Sequence, residues 1–425
     1  MSAKRALLLF VCATLAACGG GGGGGDGGSG NNVPPVTQQP NPPTPPSSNL
    51  TSNEDPATTS PLPVTQSNIP NVQPISVTTM PGLVRNMLTT SVTLCVPGTS
   101  ECATIDNIQV DTGSQGLRIL NSALPASLQA LPSIASGSGT SGQCAVFGSG
   151  YTWGAVRSAD IRLAGHIAPG ASIQIIADPT VPTVPTDCAN AGLSMQTASN
   201  LRANGILGVG LFTADCGINC TVSPMPRWYY SCNAAGNCTP STQPLAQQVT
   251  NPVSLFSADN NGVVIDLPAI TDGGTPSVSG SMIFGIGTQA NNGLGNAKVF
   301  KANQQSGYIR TAMDGNVYNS FLDSGSNGLF FPNPALPRCG LWYCPPDTSD
   351  LSATISGSDG TNSSLTFSVS NAQTLFSTSN YAFSDLAGPS ANSVNWGLPF
   401  FYGRRIFTAI ETASTPAGAG PYFAF

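Results

Sequence analysis

Two stretches of the sequence repeat one arrangement of potentially reactive side chains. Val110-Asp111-Thr112-Gly113-Ser114-Gln115-Gly116-Leu117 is echoed by Leu322-Asp323-Ser324-Gly325-Ser326-Asn327-Gly328-Leu329. A single Asp-(Ser/Thr)-Gly is an ordinary turn signature. Two copies, each after an apolar run and each extended to Ser-x-Gly-Leu, point to a pair that acts together. Two carboxylates brought side by side cannot both ionise easily, so one keeps a proton over a wide pH range. The ionised member can take a proton from a water molecule that attacks a carbonyl carbon. The protonated member polarises the carbonyl oxygen and donates to it as charge develops. This chemistry requires no metal, histidine or organic cofactor, and none is expected.

The rest of the composition excludes several other classes. The chain has 425 residues but only 14 Lys+Arg, 20 Asp+Glu and one His, a charged fraction of 8% and a net charge of −6. An average soluble domain carries roughly 25% charged residues. Without a Lys/Arg cluster no nucleic-acid partner is expected. With His166 alone, a His-rich metal site is excluded, and any His-dependent triad would have to use that residue. His166 falls in a Gly/Pro-rich turn and reads as a solvated loop residue. Asp106, Asp215 and Asp259 sit among turn residues and read as turn-shaping.

The elements that must position the two aspartates read as strands. Short apolar and β-branched runs separated by Gly, Asn, Asp and Pro turns predict an all-β fold. Ser91–Cys95 is expected to pair with Cys102–Val110 ahead of Asp111. Tyr308–Met313 is expected to turn through Asp314-Gly315-Asn316 into Val317–Leu322 ahead of Asp323. Each motif is followed downstream by an apolar, glycine-containing segment, Gly205–Gly210 and Trp396–Phe401. Matching elements in matching order predict two similar lobes. The best short-helix candidate is Ser194–Asn204.

This series resembles the pepsin-type, two-lobed aspartic peptidases, over most of the chain from about Ile75. Phe147-Gly148-Ser149-Gly150 with Gly154 resembles the flap hairpin, and Ala159–Leu163 the strand after it. Gly205–Gly210 resembles the hydrophobic-hydrophobic-Gly element that crosses behind the first aspartate. Pro252–Ser257 with Ser281–Gly285 resembles the opening of the second lobe, and Trp396–Ile410 the closing segment behind the second aspartate. The resemblance implies an endopeptidase with a cleft between lobes, in which Asp111 and Asp323 activate water against a peptide or protein substrate. Ser114 and Ser326 would donate to the outer carboxylate oxygens. Gly113 and Gly325 would let backbone N–H groups approach the carboxylates. Thr112 and Ser324 would tie the two loops by crossing hydrogen bonds.

Three positions depart from the family pattern. The flap tyrosine falls on Phe147, its tryptophan partner on Arg118, and Asn395 replaces an apolar residue before Trp396-Gly397. Tyr151 and Trp153, beside Gly148, could compensate in a shifted flap or could be plain hairpin aromatics. The alternative expectation is therefore a catalytically inactive relative that keeps the fold as a binding or envelope-scaffold protein. An adhesin with two incidental turns is a more remote one.

The N-terminus carries a basic start, a short apolar run and Leu15-Ala16-Ala17-Cys18, which resembles a bacterial lipobox. Residues 1–18 are read as a lipoprotein signal peptide, with Cys18 acylated (palmitate is the expected modification) and the protein held at the outer membrane through that lipid as a monomer. Residues 19–74, rich in Gly, Pro and Ser, are read as a disordered spacer. The lobes are then expected at 75–245 and 246–425. Of 12 cysteines, Cys12 is lost with the signal and Cys18 is lipidated, which leaves enough for five disulfides. Cys95 with Cys102 would close the first hairpin, Cys339 with Cys344 a loop after the second aspartate, and Cys144 pairs with Cys188 by exclusion. Cys216, Cys220, Cys232 and Cys238 allow three pairings or a loosely spaced zinc site, and an exported context favours disulfides.

Overall fold

Thr89–Cys95 and Cys102–Asp111 alternate apolar with hydroxyl or polar residues, and they pair antiparallel from Thr89↔Gln109 to Cys95↔Cys102. The Cys95–Cys102 disulfide closes their turn. The second expected hairpin forms between Ile309–Met313 and Asn316–Asp323. Its turn is two residues, one shorter than expected: Met313 pairs with Asn316, and Asp314 and Gly315 both adopt positive φ (49° and 76°). Asp-Gly is the pair that this turn favours, because its backbone twist matches that of the strands.

The structure, a computed structural model, describes residues 69–79 and 84–425. The expected signal peptide, the expected lipidation site at Cys18 and the expected spacer up to residue 68 lie outside the described residues. The described residues are all-β, with helices of only a turn or so. Ser194–Asn204 contributes one of these at Ala198–Leu201, started by Thr197 and stopped by Arg202 in the left-handed region (φ 68°). Among the described residues, no helix is long and apolar enough to cross a membrane.

The strands of the described residues fall into a 16-stranded sheet, a 7-stranded sheet and a 2-stranded ribbon. Within the largest, the strands 89–95, 102–111, 205–209, 115–120, 166–176 and 150–163 follow one another. Pairing of Thr93–Cys95 with Asp160–Arg162 closes them into a barrel. Each half of the chain repeats one crossing. Cys102–Asp111 runs parallel to Gly205–Val209, which runs antiparallel to Gln115–Leu120. Asn316–Asp323 runs parallel to Ser393–Gly397, which runs antiparallel to Leu329–Phe331. In both, the later strand is inserted between the two strands that the aspartate loop joins.

A continuous antiparallel run ties the halves together: Val72–Val77, Val278–Phe284, Gly262–Leu267, Arg404–Ala409, Tyr422–Ala424 and Val299–Lys301. The first of these corrects the spacer boundary, because residues 72–74 are strand. Pro74 has no N–H to give, which reads as a break, but its carbonyl accepts from Thr90 Oγ1 (2.7 Å). Its strand partner lies some 200 residues away, so no local signal marks the element. One apolar core spans both halves, from Leu88, Val110 and Leu207 to Leu322, Trp396 and Phe423. The ten described cysteines form five disulfides. The three expected pairs are present, and the open set resolves as Cys216–Cys220 and Cys232–Cys238.

Candidate active site

Each aspartate is the last residue of its strand, and the crossing strand passes directly behind it. In register, Asp111 faces Gly208 and Asp323 faces Gly397. A Cβ at Gly208 would lie 2.6 Å from Gln115 N, and one at Gly397 would lie 2.1 Å from Gly328 O. No side chain fits where the loop folds back over the crossing strand.

The two loops meet. Thr112 N–H donates to Ser324 Oγ (3.1 Å) and Ser324 N–H donates to Thr112 Oγ1 (2.9 Å). Each hydroxyl then donates across the pair to a strand carbonyl, Thr112 Oγ1 to Leu322 O (3.1 Å) and Ser324 Oγ to Val110 O (2.9 Å). All four groups are buried, so the exchange satisfies polar atoms that water cannot reach. Gln109 Nε2 adds a further bond between halves, to Gly325 O (2.7 Å).

This clasp sets the carboxylates against one another. A Cβ on Gly113 would sit 2.7 Å from Asp323 Cγ, and one on Gly325 would sit 2.6 Å from Asp111 Oδ1. Each glycine therefore makes room for the opposite carboxylate, besides bringing its own N–H to its own aspartate. Gly113 N–H donates to Asp111 Oδ1 (2.8 Å), and Gly325 N–H donates to Asp323 Oδ1 (2.9 Å). Ser114 Oγ donates to the outer oxygen of Asp111, and Ser326 Oγ to that of Asp323 (2.7 Å). Asp111 and Asp323 are 3% and 1% exposed. Burial pushes the Asp111 carboxyl well above the usual carboxylate range, and the charge of Asp323 pushes it the same way. The bonds from Ser114 and Gly113 oppose that shift only in part.

Asn395 was visible in the sequence only as a departure; in the fold its amide Nδ2 lies 2.9 Å from Asp323 Oδ2 and 2.7 Å from Ser326 Oγ. Asn86 was missed altogether. It is buried, with its Nδ2 donating to Asn327 O (3.0 Å) and Phe383 O (2.9 Å) while its Oδ1 accepts from Phe383 N–H (2.7 Å) and Tyr402 OH (2.9 Å). These bonds pin the N-terminal segment to the second aspartate loop. The partners are 241 to 316 positions apart in sequence, so only the fold reveals them.

The flap-like hairpin pairs Gly139–Phe147 with Gly150–Leu163 around Gly148-Ser149. Tyr151 and Trp153 do not compensate for the missing flap tyrosine. They are buried with Cys144, Val181, Cys188 and Tyr230 in a cluster of their own, where Trp153 Nε1 donates to Val181 O (2.8 Å). The hairpin tip is also tied down: Tyr151 N–H donates to Leu193 O (2.9 Å) and Met195 N–H to Tyr151 O (2.8 Å). Phe147 packs with Met87, Leu120, Met195 and Ile206, and the Arg118 guanidinium lies 5.6 Å from its ring.

Arg118, where the flap partner was expected, is 1% exposed and pairs with Asp215 (3.1 Å). Asp215 lies in a bend, as expected, but is also a buried counter-ion. It also accepts from Gln143 and from Tyr229 OH (2.5 Å), and burial raises its pKa to about 6. His166 is no solvated loop residue. It stacks on Phe256 (4.9 Å) and its Nε2 lies 3.3 Å from Asp259 Oδ2, because the turn that carries it folds against the opening of the second half. Asp106 does not shape a turn: it lies exposed within the strand Cys102–Asp111, accepting from Ser91 Oγ (2.7 Å).

Fold and site together define an all-β protein built on a duplicated strand crossing, with two buried aspartates held in contact by reciprocal hydroxyl–backbone bonds. The chain belongs to the family described as Protein of unknown function (DUF3443), which matches residues 67–425. Comparison with curated proteins finds no match.

Proposed function

We propose that the chain is an aspartic endopeptidase of two-lobed, pepsin-like architecture. Asp111 and Asp323 activate a water molecule to hydrolyse peptide bonds. The observation that carries this reading is the contact of two equivalent carboxylates, one from each half, across the Thr112/Ser324 clasp. An extended peptide would lie across the pair, held by β-type backbone hydrogen bonds. The Leu15–Cys18 motif supports anchoring of this peptidase to the cell envelope through acylated Cys18.

The hairpin favours a second reading, that of a binding or scaffold protein retaining the fold. Phe147 has no hydroxyl to offer a substrate, and Tyr151 and Trp153 are committed to a core. One experiment separates the two. Folded chain is incubated with an unfolded protein from acid to neutral pH beside Asp111→Asn and Asp323→Asn. The peptidase reading expects cleavage in acid, reduced at least about 10³-fold in each variant. Absence of cleavage by correctly folded, disulfide-bonded protein across that range decides for the binding reading.

A further inference from the structure

We infer that Asn395 is a positioning residue that makes Asp323 the ionised, water-activating member of the pair and leaves the shared proton on Asp111. The inference rests on the peptidase reading and assigns roles within it.

The two loops are matched residue for residue, and the donors they offer are unequal. Asp111 receives Gly113 N–H on Oδ1 and Ser114 Oγ on Oδ2. Asp323 receives Gly325 N–H (2.9 Å) and Ser326 N–H (3.2 Å) on Oδ1, then Ser326 Oγ (2.7 Å) and Asn395 Nδ2 (2.9 Å) on Oδ2. The register identifies the counterpart of Asn395. It faces Phe321, two residues before Asp323, as Ile206 faces Gln109, two residues before Asp111. Ile206 has nothing to donate.

Donors aimed at a carboxylate stabilise its charged form, and they act most strongly where water is excluded. Asn395 is 3% exposed. Its Nδ2 also donates to Ser326 Oγ (2.7 Å), which leaves the serine hydrogen for Asp323. The orientation of the amide follows from the same contacts, since a flipped group would set its oxygen against a carboxylate. Among the described residues, Asn395 Oδ1 has no hydrogen-bond partner. Packing alone gives no reason for an unpaired buried oxygen at a position that is isoleucine in the other half.

The order of proton transfers follows. Asp323 takes a proton from water as the water oxygen bonds to the carbonyl carbon. The C=O π bond opens, and its oxygen takes the proton of Asp111, giving a neutral gem-diol. On collapse the C–N bond breaks, the nitrogen takes the proton from Asp323, and Asp111 recovers one from a diol hydroxyl. The acid and the amine are released, and the starting protonation state of the pair is regenerated.

The test uses full-length protein with 13C-labelled aspartate carboxyls, the two signals being assigned by their loss in Asp111→Asn and Asp323→Asn. In the wild type the carboxyl that retains its proton longest as pH rises is expected to be Asp111. In Asn395→Ile, Asp323 is expected to titrate about one to two pH units higher, and the acid limb of the kcat/KM profile to move up by the same amount. A purely structural role would lower stability and rate at every pH without moving that limb. Retention of the proton by Asp323 in the wild type overturns the assignment, and that measurement does not require the variant to fold. An unchanged Asp323 titration in folded Asn395→Ile overturns it too. The titration needs no turnover, so absence of cleavage counts against the peptidase reading separately.

Discussion

At Asp111 one buried carboxyl couples chemistry to stability. Burial and the neighbouring charge hold its pKa above the ordinary range in the folded chain. Folding therefore favours its protonated form. That stabilisation is fully present below the unfolded value of about 4 and is lost as pH climbs through the raised one. Asp111→Asn cannot ionise. It is expected to raise Tm relative to wild type by on the order of 2 °C more at pH 7 than at pH 4, measured by calorimetry at both. A gain that shrinks toward neutral pH would contradict the raised titration. At this scale the sequence was informative where a residue's role depends on near neighbours. The bonds from Gly113 and Ser114 to Asp111 span two and three positions. Asn395 acts on a carboxylate 72 positions away and Gln109 on a carbonyl 216 away, so the sequence shows their identities without their partners.

The hairpin at 139–163 shows what an element gains from neighbours that the sequence does not reveal. Its outer strand is extended by Tyr229–Cys232, its tip is bonded to Leu193–Met195, and Cys144–Cys188 links it to the segment between. A hairpin so bound is a fixed wall. The disulfide closes a loop of 44 positions, which in the chain-entropy account stabilises by about 4 kcal/mol. Replacing both cysteines by serine is expected to lower unfolding stability by an amount of that order in denaturant titration. Amide exchange at Tyr151 and Met195 should rise ahead of the rest of the sheet. Both expected aspartate hairpins were legible because turn chemistry and alternation are local. The aromatic role was not, since Tyr151 and Trp153 alternate alike whether they face a cleft or a core.

Across the whole molecule, the run of strands joining the halves draws on three distant parts of the chain: residues 72–77, the middle and the C-terminus. His166 bridges from the first half to Phe256 and Asp259 beside the same joint. The joint is built from strands of both halves. Deleting residues through Val77 would strip Val278–Phe284 of one of its two strand partners and leave an unpaired edge. That deletion is expected to lower Tm and to promote self-association in light scattering, and a monomer of unchanged Tm would show that the joint holds without its first strand. The all-β class and the duplicated order of elements were readable from composition and motif. The 72–74 boundary was not, because proline and polar residues look the same in a tether and in a strand whose partner lies some 200 residues on.

The duplication carries a consequence about symmetry. Two identical subunits clasped through the same threonine–serine exchange would hold two indistinguishable aspartates, and the proton would have no preferred home. Any substitution beside one would appear beside the other. Joining both copies in one chain removes that degeneracy: isoleucine can stand at 206 while asparagine stands at 395. A division of labour between chemically identical groups then becomes something that a single codon can set.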